Sequence, residues 1–241
     1  MDSTTGIHQD YSVAADIRDN EPLLGRPGDV AQKEGESVVR NLITGTASVA
    51  QAGIWILAAL VWSGVLSQPL SLFSPHPMLS VSAILLQVQA ALIVQPTVTP
   101  THKLNGARIH AAIQLLSVAC FISAFTIIEL NKGDHPHFTS PHGILGLTTY
   151  ICIALQTLGG VVQFFVPSLV LGSVDAGKRL YKYHRIAGYV LLLLEMAVVV
   201  AATQTDYNLT TLRIPLWATL VAIVLILAGV GARIKKHKLG F

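Results

Sequence analysis

Four histidines, His76, His110, His142 and His184, each stand at the start of one of four consecutive apolar stretches. Taken singly, each suits an interface or a helix cap. One per stretch on four stretches in a row is a pattern, and imidazole is a ligand both for haem iron and for zinc. If the stretches are helices that cross a membrane in alternating directions, His76 and His142 lie toward one surface, and His110 and His184 toward the other. A full crossing of about 30 Å, at about 1.5 Å per residue, keeps His76 away from His110. The pairs that can share an ion are therefore His76 with His142 and His110 with His184. Two imidazoles on facing helices supply both axial positions of a haem iron, a large apolar cofactor suited to a bundle interior. Zinc needs four ligands, and no Cys, Asp or further His stands at either depth to complete a tetrahedron. The spacing thus predicts two haems of the b type, bound without covalent links because the chain has no Cys-x-x-Cys-His attachment motif.

The elements that must carry these residues follow from composition. Of the 241 residues 52% are apolar and 12% charged, which is too greasy and too sparsely charged for an ordinary water-soluble domain. A helix needs about 20 apolar residues to cross about 30 Å of hydrocarbon. Six segments read as such spans, at about 42–66, 77–95, 109–130, 143–166, 186–203 and 214–232. The expected fold class is all-α, a polytopic membrane protein of six transmembrane helices whose spans two to five form a four-helix haem-binding core. Residues 1–41 are acidic and polar, without helical apolar periodicity, and read as a disordered cytoplasmic tail. Residues 42–235 read as one transmembrane domain and 236–241 as a basic cytoplasmic tail. The first forty residues have no basic region followed by an apolar one, so the first span is expected to insert as an uncleaved anchor. Cys120 and Cys152, inside spans three and four, read as small buried hydrophobes and not as disulfide or metal partners. Gly143, Gly146, Gly159, Gly160 and Gly188 offer places where backbone can approach a macrocycle or another helix.

Orientation follows from the sixteen Lys and Arg residues. Arg18, Arg26, Lys33 and Arg40 precede the first span, Lys103 and Arg108 lie between spans two and three, Lys178, Arg179, Lys182 and Arg185 between four and five, and Arg233, Lys235, Lys236 and Lys238 after the last. Only Lys132 and Arg213 fall on the other side, so both termini are expected in the cytoplasm. This basic edge fits topology and anionic lipid and not nucleic acid. The one N-glycosylation sequon, at Asn208, falls on the expected outer side. The stretch DNEPLL, Asp19 to Leu24, resembles an acidic dileucine sorting signal and favours an endomembrane (vacuole, lysosome or endosome) over the plasma membrane.

The stretches SLFSPHPML, ARIHAAIQLL, SPHGILGL and YKYHRIAGYVLLL, in this order and spacing, resemble the cytochrome b561 family, particularly its short members without extra extracellular domains. The resemblance covers roughly residues 42–235. It implies six helices and two b haems that carry electrons across a membrane, typically from cytosolic ascorbate to ferric iron or monodehydroascorbate on the other side, as an ascorbate-dependent ferric reductase does. It also implies that His76 and His142 hold the non-cytoplasmic haem, and His110 and His184 the cytoplasmic one. Better-studied members place basic residues for an ascorbate anion before the cytoplasmic ligands, whereas here the positions five and nine before His110 are Asn105 and Thr101, and nine before His184 is Asp175. Lys103, Arg108, Lys178, Arg179, Lys182 and Arg185 are the candidates to take that role, because a monoanionic reductant needs positive charge near the haem edge; as orientation charges they have a second explanation. His135 and His137, with Asp134, are candidates to approach ferric iron on the outer side, a plain polar loop being the competing reading.

Glu195 lies eleven residues beyond His184, near mid-membrane, where an ionisable group is costly and by default functional; a protonated Glu hydrogen-bonded to a glutamine or a backbone carbonyl is the competing reading. Gln87, Gln89, Gln114 and Gln156 are its expected company in a polar relay between the haems. No flavin or nicotinamide fingerprint occurs, so the donor is a small diffusible reductant or a partner protein. A lipid membrane and a second copy of the chain, forming a homodimer, complete the expected partners. The rival reading is a haem-free small membrane transporter or scaffold.

Overall fold

The computed structural model describes residues 27–240, and among these every regular element is helical. Six longer helices build it: α1 (Ala47–Leu66), α2 (Pro75–Val94), α3 (Pro100–Lys132), α4 (Pro141–Phe164), α5 (Val174–Thr203) and α6 (Leu216–Gly231). The short helix Pro167–Leu171 links α4 to α5. Helices α1 to α5 are long and apolar enough to cross a membrane, which makes this an integral membrane protein. The expected sixth span is shorter: α6 has 16 residues, about 24 Å at about 1.5 Å per residue.

Local chemistry explains where the helices start. The Thr99 hydroxyl accepts from His102 N and Pro100 opens α3, the Ser140 hydroxyl accepts from Gly143 N ahead of α4, and the Ser173 hydroxyl accepts from Ala176 N ahead of α5. Each is a side-chain cap for an orphan N–H, with proline tolerated in the first turn. Helices α3 and α5 therefore begin at 100 and 174, well before the apolar stretches read from hydropathy. Charge ends the greasy segment but not the helix, because hydrogen bonding and caps govern the backbone.

α2 packs along α3 and α4 along α5, giving two antiparallel hairpins that face each other, while α1 pairs with α6 and flanks α2. Close approach in the α1–α6 pair needs glycine: a Cβ on Gly53 would meet Ala222 O at 2.6 Å, and one on Gly229 would run into the Ala50 backbone. The core between the helices is aliphatic, with Ile54, Leu57, Val88, Leu92 and Ile226 at 1% exposure or less, while Leu115, Leu116, Ile122, Ile151 and Leu155 are exposed on the outer surface, as a lipid-facing exterior requires.

One end of the bundle carries both ends of the described residues, 27 and 240, and we call it the terminal end; the other is the far end. At the terminal end the segment 27–46, whose first part the sequence reads as tail, is tied to the helix ends. Asn41 Nδ2 donates to Ile93 O (2.8 Å), Gln32 N to Pro96 O (2.9 Å) and Gly28 N to Ala232 O (2.8 Å). Buried Arg233 donates to Leu92 O (3.1 Å) and Thr44 O (2.8 Å). Leu92 and Ile93 sit in the last turn of α2, where carbonyls lack intrahelical partners, so polar side chains hold this segment without an apolar pattern. Residues 1–26 of the expected tail, with the stretch Asp19 to Leu24, lie outside the described residues.

At the far end Asn208 is 5% exposed, and its amide donates to Thr203 O (2.8 Å) and Ile214 O (3.0 Å) while accepting from Ile214 N (3.1 Å). The sequon asparagine is a structural staple of the α5–α6 turn and is not presented to a glycosyl donor. Replacing it by alanine leaves two carbonyls without donors, and we expect a loss of about 1–3 kcal/mol in detergent-solubilised melting, with no change in electrophoretic mobility on glycosidase treatment of either protein. The loop between α3 and α4 is held by His137, whose Nδ1 lies 2.5 Å from Glu129 Oε2 and whose Nε2 lies 2.9 Å from Gly133 O. The Gly133 carbonyl and then Glu129 push the His137 imidazole up from its ordinary value. A raised histidine stabilises fully below its unfolded value and loses that contribution as pH rises through the folded one. Protection factors for hydrogen exchange at 133–140, taken against the intrinsic rate at each pH, are therefore expected to be high in mild acid and to fall at alkaline pH, and His137→Ala to make them low throughout.

Candidate functional site

The two hairpins bring the four histidines together in the expected pairs. His76 and His142 face each other at the far end with ring centroids 6.4 Å apart, and His110 and His184 near the terminal end at 6.5 Å. Both pairs join helices of different hairpins, α2 with α4 and α3 with α5.

A repeated register sets the rings. His76 Nδ1 lies 3.0 Å from Ala124 O, His110 Nδ1 3.0 Å from Ala90 O, and His142 Nδ1 3.2 Å from Val198 O. Each accepting carbonyl stands fourteen residues beyond the histidine of its own helix: Ala90 beyond His76, Ala124 beyond His110 and Val198 beyond His184. The residue in the same position beyond His142 is Gln156, which instead sends its side-chain amide to His184 O at 2.8 Å. Fourteen residues are about 21 Å along a helix, so the two sites stand closer than a full crossing. The reason is the early start of α3 and α5, which buries His110 and His184 about three turns inside their helices. A carbonyl can only accept, so Nδ1 carries the proton in these three rings and Nε2 is left with its lone pair, as a metal ligand requires.

Whether these residues suit a haem is a matter of distance and room. Two imidazoles that bind one ion from opposite sides at about 2.0–2.1 Å, each ring centre about 1 Å behind its nitrogen, have centroids about 6 Å apart, as in both pairs here. Gly160 packs on His184, where an added Cβ would lie 3.2 Å from Cε1, and Gly146, one turn beyond His142 on the same face, has no protein atom within 4 Å of its Cβ position. Phe73 lies 5.6 Å from His76 and 4.5 Å from Tyr207, an aromatic cover for the far site. The residues fit two planar apolar cofactors.

At the terminal end a cavity of about 360 Å³ is lined by Gln32, Glu36, Val38, His102, Asn105, Arg108 and Ile109, next in sequence to His110. Arg108 and Asn105 open onto it. The other basic candidates lie elsewhere: Lys178 pairs with Asp175 at 2.8 Å, Arg179 is beside the same carboxylate, and Lys182 lies over the Tyr183 ring at 4.9 Å. Arg185 donates to Lys238 O, and Lys238 Nζ donates to Thr97 O at 2.9 Å. Burial, then the neighbouring Lys235, Arg185 and Lys103, push the Lys238 ammonium down to about 8. This cluster was not legible as a site, because Lys235 and Lys238 join Lys103 only through the fold.

On the far side His135 is exposed and His137 spends both ring nitrogens on Glu129 and Gly133. Among the described residues no three His, Cys, Asp or Glu side chains converge as a metal site. Glu195 is 2% exposed, but two of its four expected glutamine neighbours are occupied elsewhere: Gln89 pairs with Gln51 of α1 at 2.6 Å and Gln156 with His184. Gln87 of α2 turns its amide toward Glu195, and Gln114 makes no side-chain hydrogen bond to it.

Comparison with known proteins gives one family. The sequence model described as eukaryotic cytochrome b561 matches residues 75–209, a stretch that holds all four histidines and the carbonyls that orient three of them. No curated protein sequence matches the chain. Members of that family bind haem b and pass electrons across membranes. With more than half its length matched and its histidines in facing pairs, this chain belongs to the eukaryotic cytochrome b561 family.

Proposed function

We propose that the protein carries single electrons from an ascorbate-like anion at the terminal end to ferric iron or monodehydroascorbate at the far end, through two haem sites. The observation that carries this reading is the facing of His76 with His142 and His110 with His184 at 6.4 and 6.5 Å. Two haem b groups, when bound, supply the one-electron carriers, which no amino-acid side chain here provides. The protein supplies the rest. The four imidazoles would hold the haem irons, through Nε2 in His76, His110 and His142, whose rings the carbonyls of Ala124, Ala90 and Val198 keep in the ligating tautomer, and Gly146 and Gly160 keep the inner face of α4 low. Arg108 and Asn105 in the terminal cavity present a cation and an amide to an anionic donor, and Lys103, Arg185, Lys235 and Lys238 raise the local positive potential.

The basic residues gathered at the terminal end support a cytoplasmic location for both termini and an electron path outward from the cytosol. At the far face His135 is free to meet a ferric chelate. An endomembrane and a homodimeric state belong to the same proposal, resting on the acidic dileucine resemblance and on the family respectively. No observation favours a haem-free transporter or scaffold.

Purified protein is expected to show a b-type absorption spectrum with two haems per chain. His76→Ala and His142→Ala should each remove the far haem and abolish delivery to an external acceptor, while His110→Ala and His184→Ala should abolish reduction from the cytosolic side of sealed vesicles. A colourless, correctly folded preparation, or four variants with wild-type ferric reduction, would overturn the reading. Arg108→Gln should raise the KM for ascorbate about tenfold, the effect of one lost charge-assisted hydrogen bond of about 1.4 kcal/mol, with Lys178→Gln as the control that leaves KM in place because Lys178 is already paired with Asp175.

A further inference from the structure

The two helices that carry His76 and His184 share an internal spacing that the electron path does not use. Gln87 follows His76 by eleven residues and precedes Ala90 by three; Glu195 follows His184 by eleven and precedes Val198 by three. The equivalent positions on α3 and α4 are Phe121 and Ile153, both buried and apolar. Side chains on a helix lean toward its N-terminus. Because α2 and α5 run in opposite directions, this leaning carries Gln87 and Glu195 toward each other, into the space between the level of His76 and His142 and that of His110 and His184.

Glu195 is 2% exposed and neither carboxyl oxygen has a hydrogen-bond partner. It has no counter-charge. Helices α2, α4 and α6 contain no Asp, Glu, Lys or Arg. Those of α3 lie near its ends, at Lys103, Arg108, Glu129 and Lys132, and the other charges of α5 run from Asp175 to Arg185. The titratable groups facing the same core are Cys120 on α3, Tyr150 and Cys152 on α4, Tyr189 on α5 and the four paired histidines. An isolated carboxylate in such surroundings is expensive, and a neutral carboxylic acid or a nearby change of charge relieves it. A carboxyl group kept for packing would be better served by leucine or glutamine. The charge that changes nearby is the transferred electron.

Resting on the two-haem reading, we propose that Glu195, faced by Gln87, is a proton-binding site between the two redox stations, which takes up one proton when an electron enters the protein and releases it when the electron leaves. The balance closes with the reactants already named. One electron comes from the anionic donor and one proton from water, converting the Glu195 carboxylate to the acid; when the electron passes to the acceptor, the O–H bond breaks and the proton returns to water. The net charge of the bundle interior is then unchanged by reduction. Gln87 is a positioning residue, its amide turned to the carboxyl from the opposite helix.

Redox titration of the haem-loaded full chain across a pH series tests this directly. Midpoint potentials are expected to fall as pH rises in the wild type and to lose that slope in Glu195→Gln, which keeps shape and removes the titration; Glu195→Asp should retain a slope and Gln87→Leu should move the pH at which it sets in. The reduced-minus-oxidised infrared difference spectrum of the wild type should contain a carboxylic C=O band that is absent from Glu195→Gln. Haem propionates also carry carboxyl groups, so the band is assigned by its loss in Glu195→Gln or its shift in Glu195→Asp, while its absence from the wild type decides against the site even if both variants fail to assemble. Potential-versus-pH curves that coincide for wild type and Glu195→Gln, or a wild-type difference spectrum without a carboxyl band, would overturn the proton site while leaving the electron path intact. A protein without haem would instead overturn the electron path itself and this inference with it.

Discussion

A backbone carbonyl inside a helix already accepts one N–H from the residue four places on, yet it keeps a second lone pair. Ala90, Ala124 and Val198 offer that second lone pair to an imidazole of the helix beside them. Three such bonds fix ring orientation, tautomer and helix register at once, because a slip of one turn, about 5.4 Å, would carry every carbonyl out of reach. The reciprocal bonds between α2 and α3 lock that hairpin in a single alignment. The bond from His142 to Val198 does the same for the second hairpin. Only with both in register do imidazole rings from different hairpins face each other across the bundle, with centroids 6.4 and 6.5 Å apart.

Charge is distributed to suit this arrangement. Four of the six helices carry none, and the charges of α3 and α5 are pushed to the ends except for Glu195. The extended first turns of α3 and α5 lift Lys103, Arg108, Lys178, Arg179 and Lys182 away from the apolar zone while keeping them on rigid helices that continue directly to His110 and His184. The segment 27–46 and the C-terminal residues close over the same end with buried Asn41 and Arg233, which satisfy helix-terminal carbonyls that lipid could not. The terminal cavity forms against that cover, between residues 32–38 of this segment and α3, so the segment serves both to cap α2 and to wall the cavity beside Arg108.

Much of this was legible in the sequence. Composition specifies a helical membrane protein, since hydrocarbon leaves the backbone no other partner than itself. Alternating span direction specifies which histidine meets which, and the observed pairs are those. The starts of α3, α4 and α5 were also encoded, in Thr99-Pro100, Ser140-Pro141 and Ser173, but hydropathy hides these caps because it measures apolarity and not hydrogen bonding. The tertiary structure alone decided the register of fourteen residues, since the accepting groups are main-chain carbonyls that any residue type supplies. It alone decided that Asn208 staples a turn, that Lys178 is engaged with Asp175, that His137 belongs to Glu129, and which of several glutamines faces Glu195. The physical reason is common to all of these: residue type reports what a side chain can bond, whereas the partner it does bond depends on which helices lie side by side, and at what height.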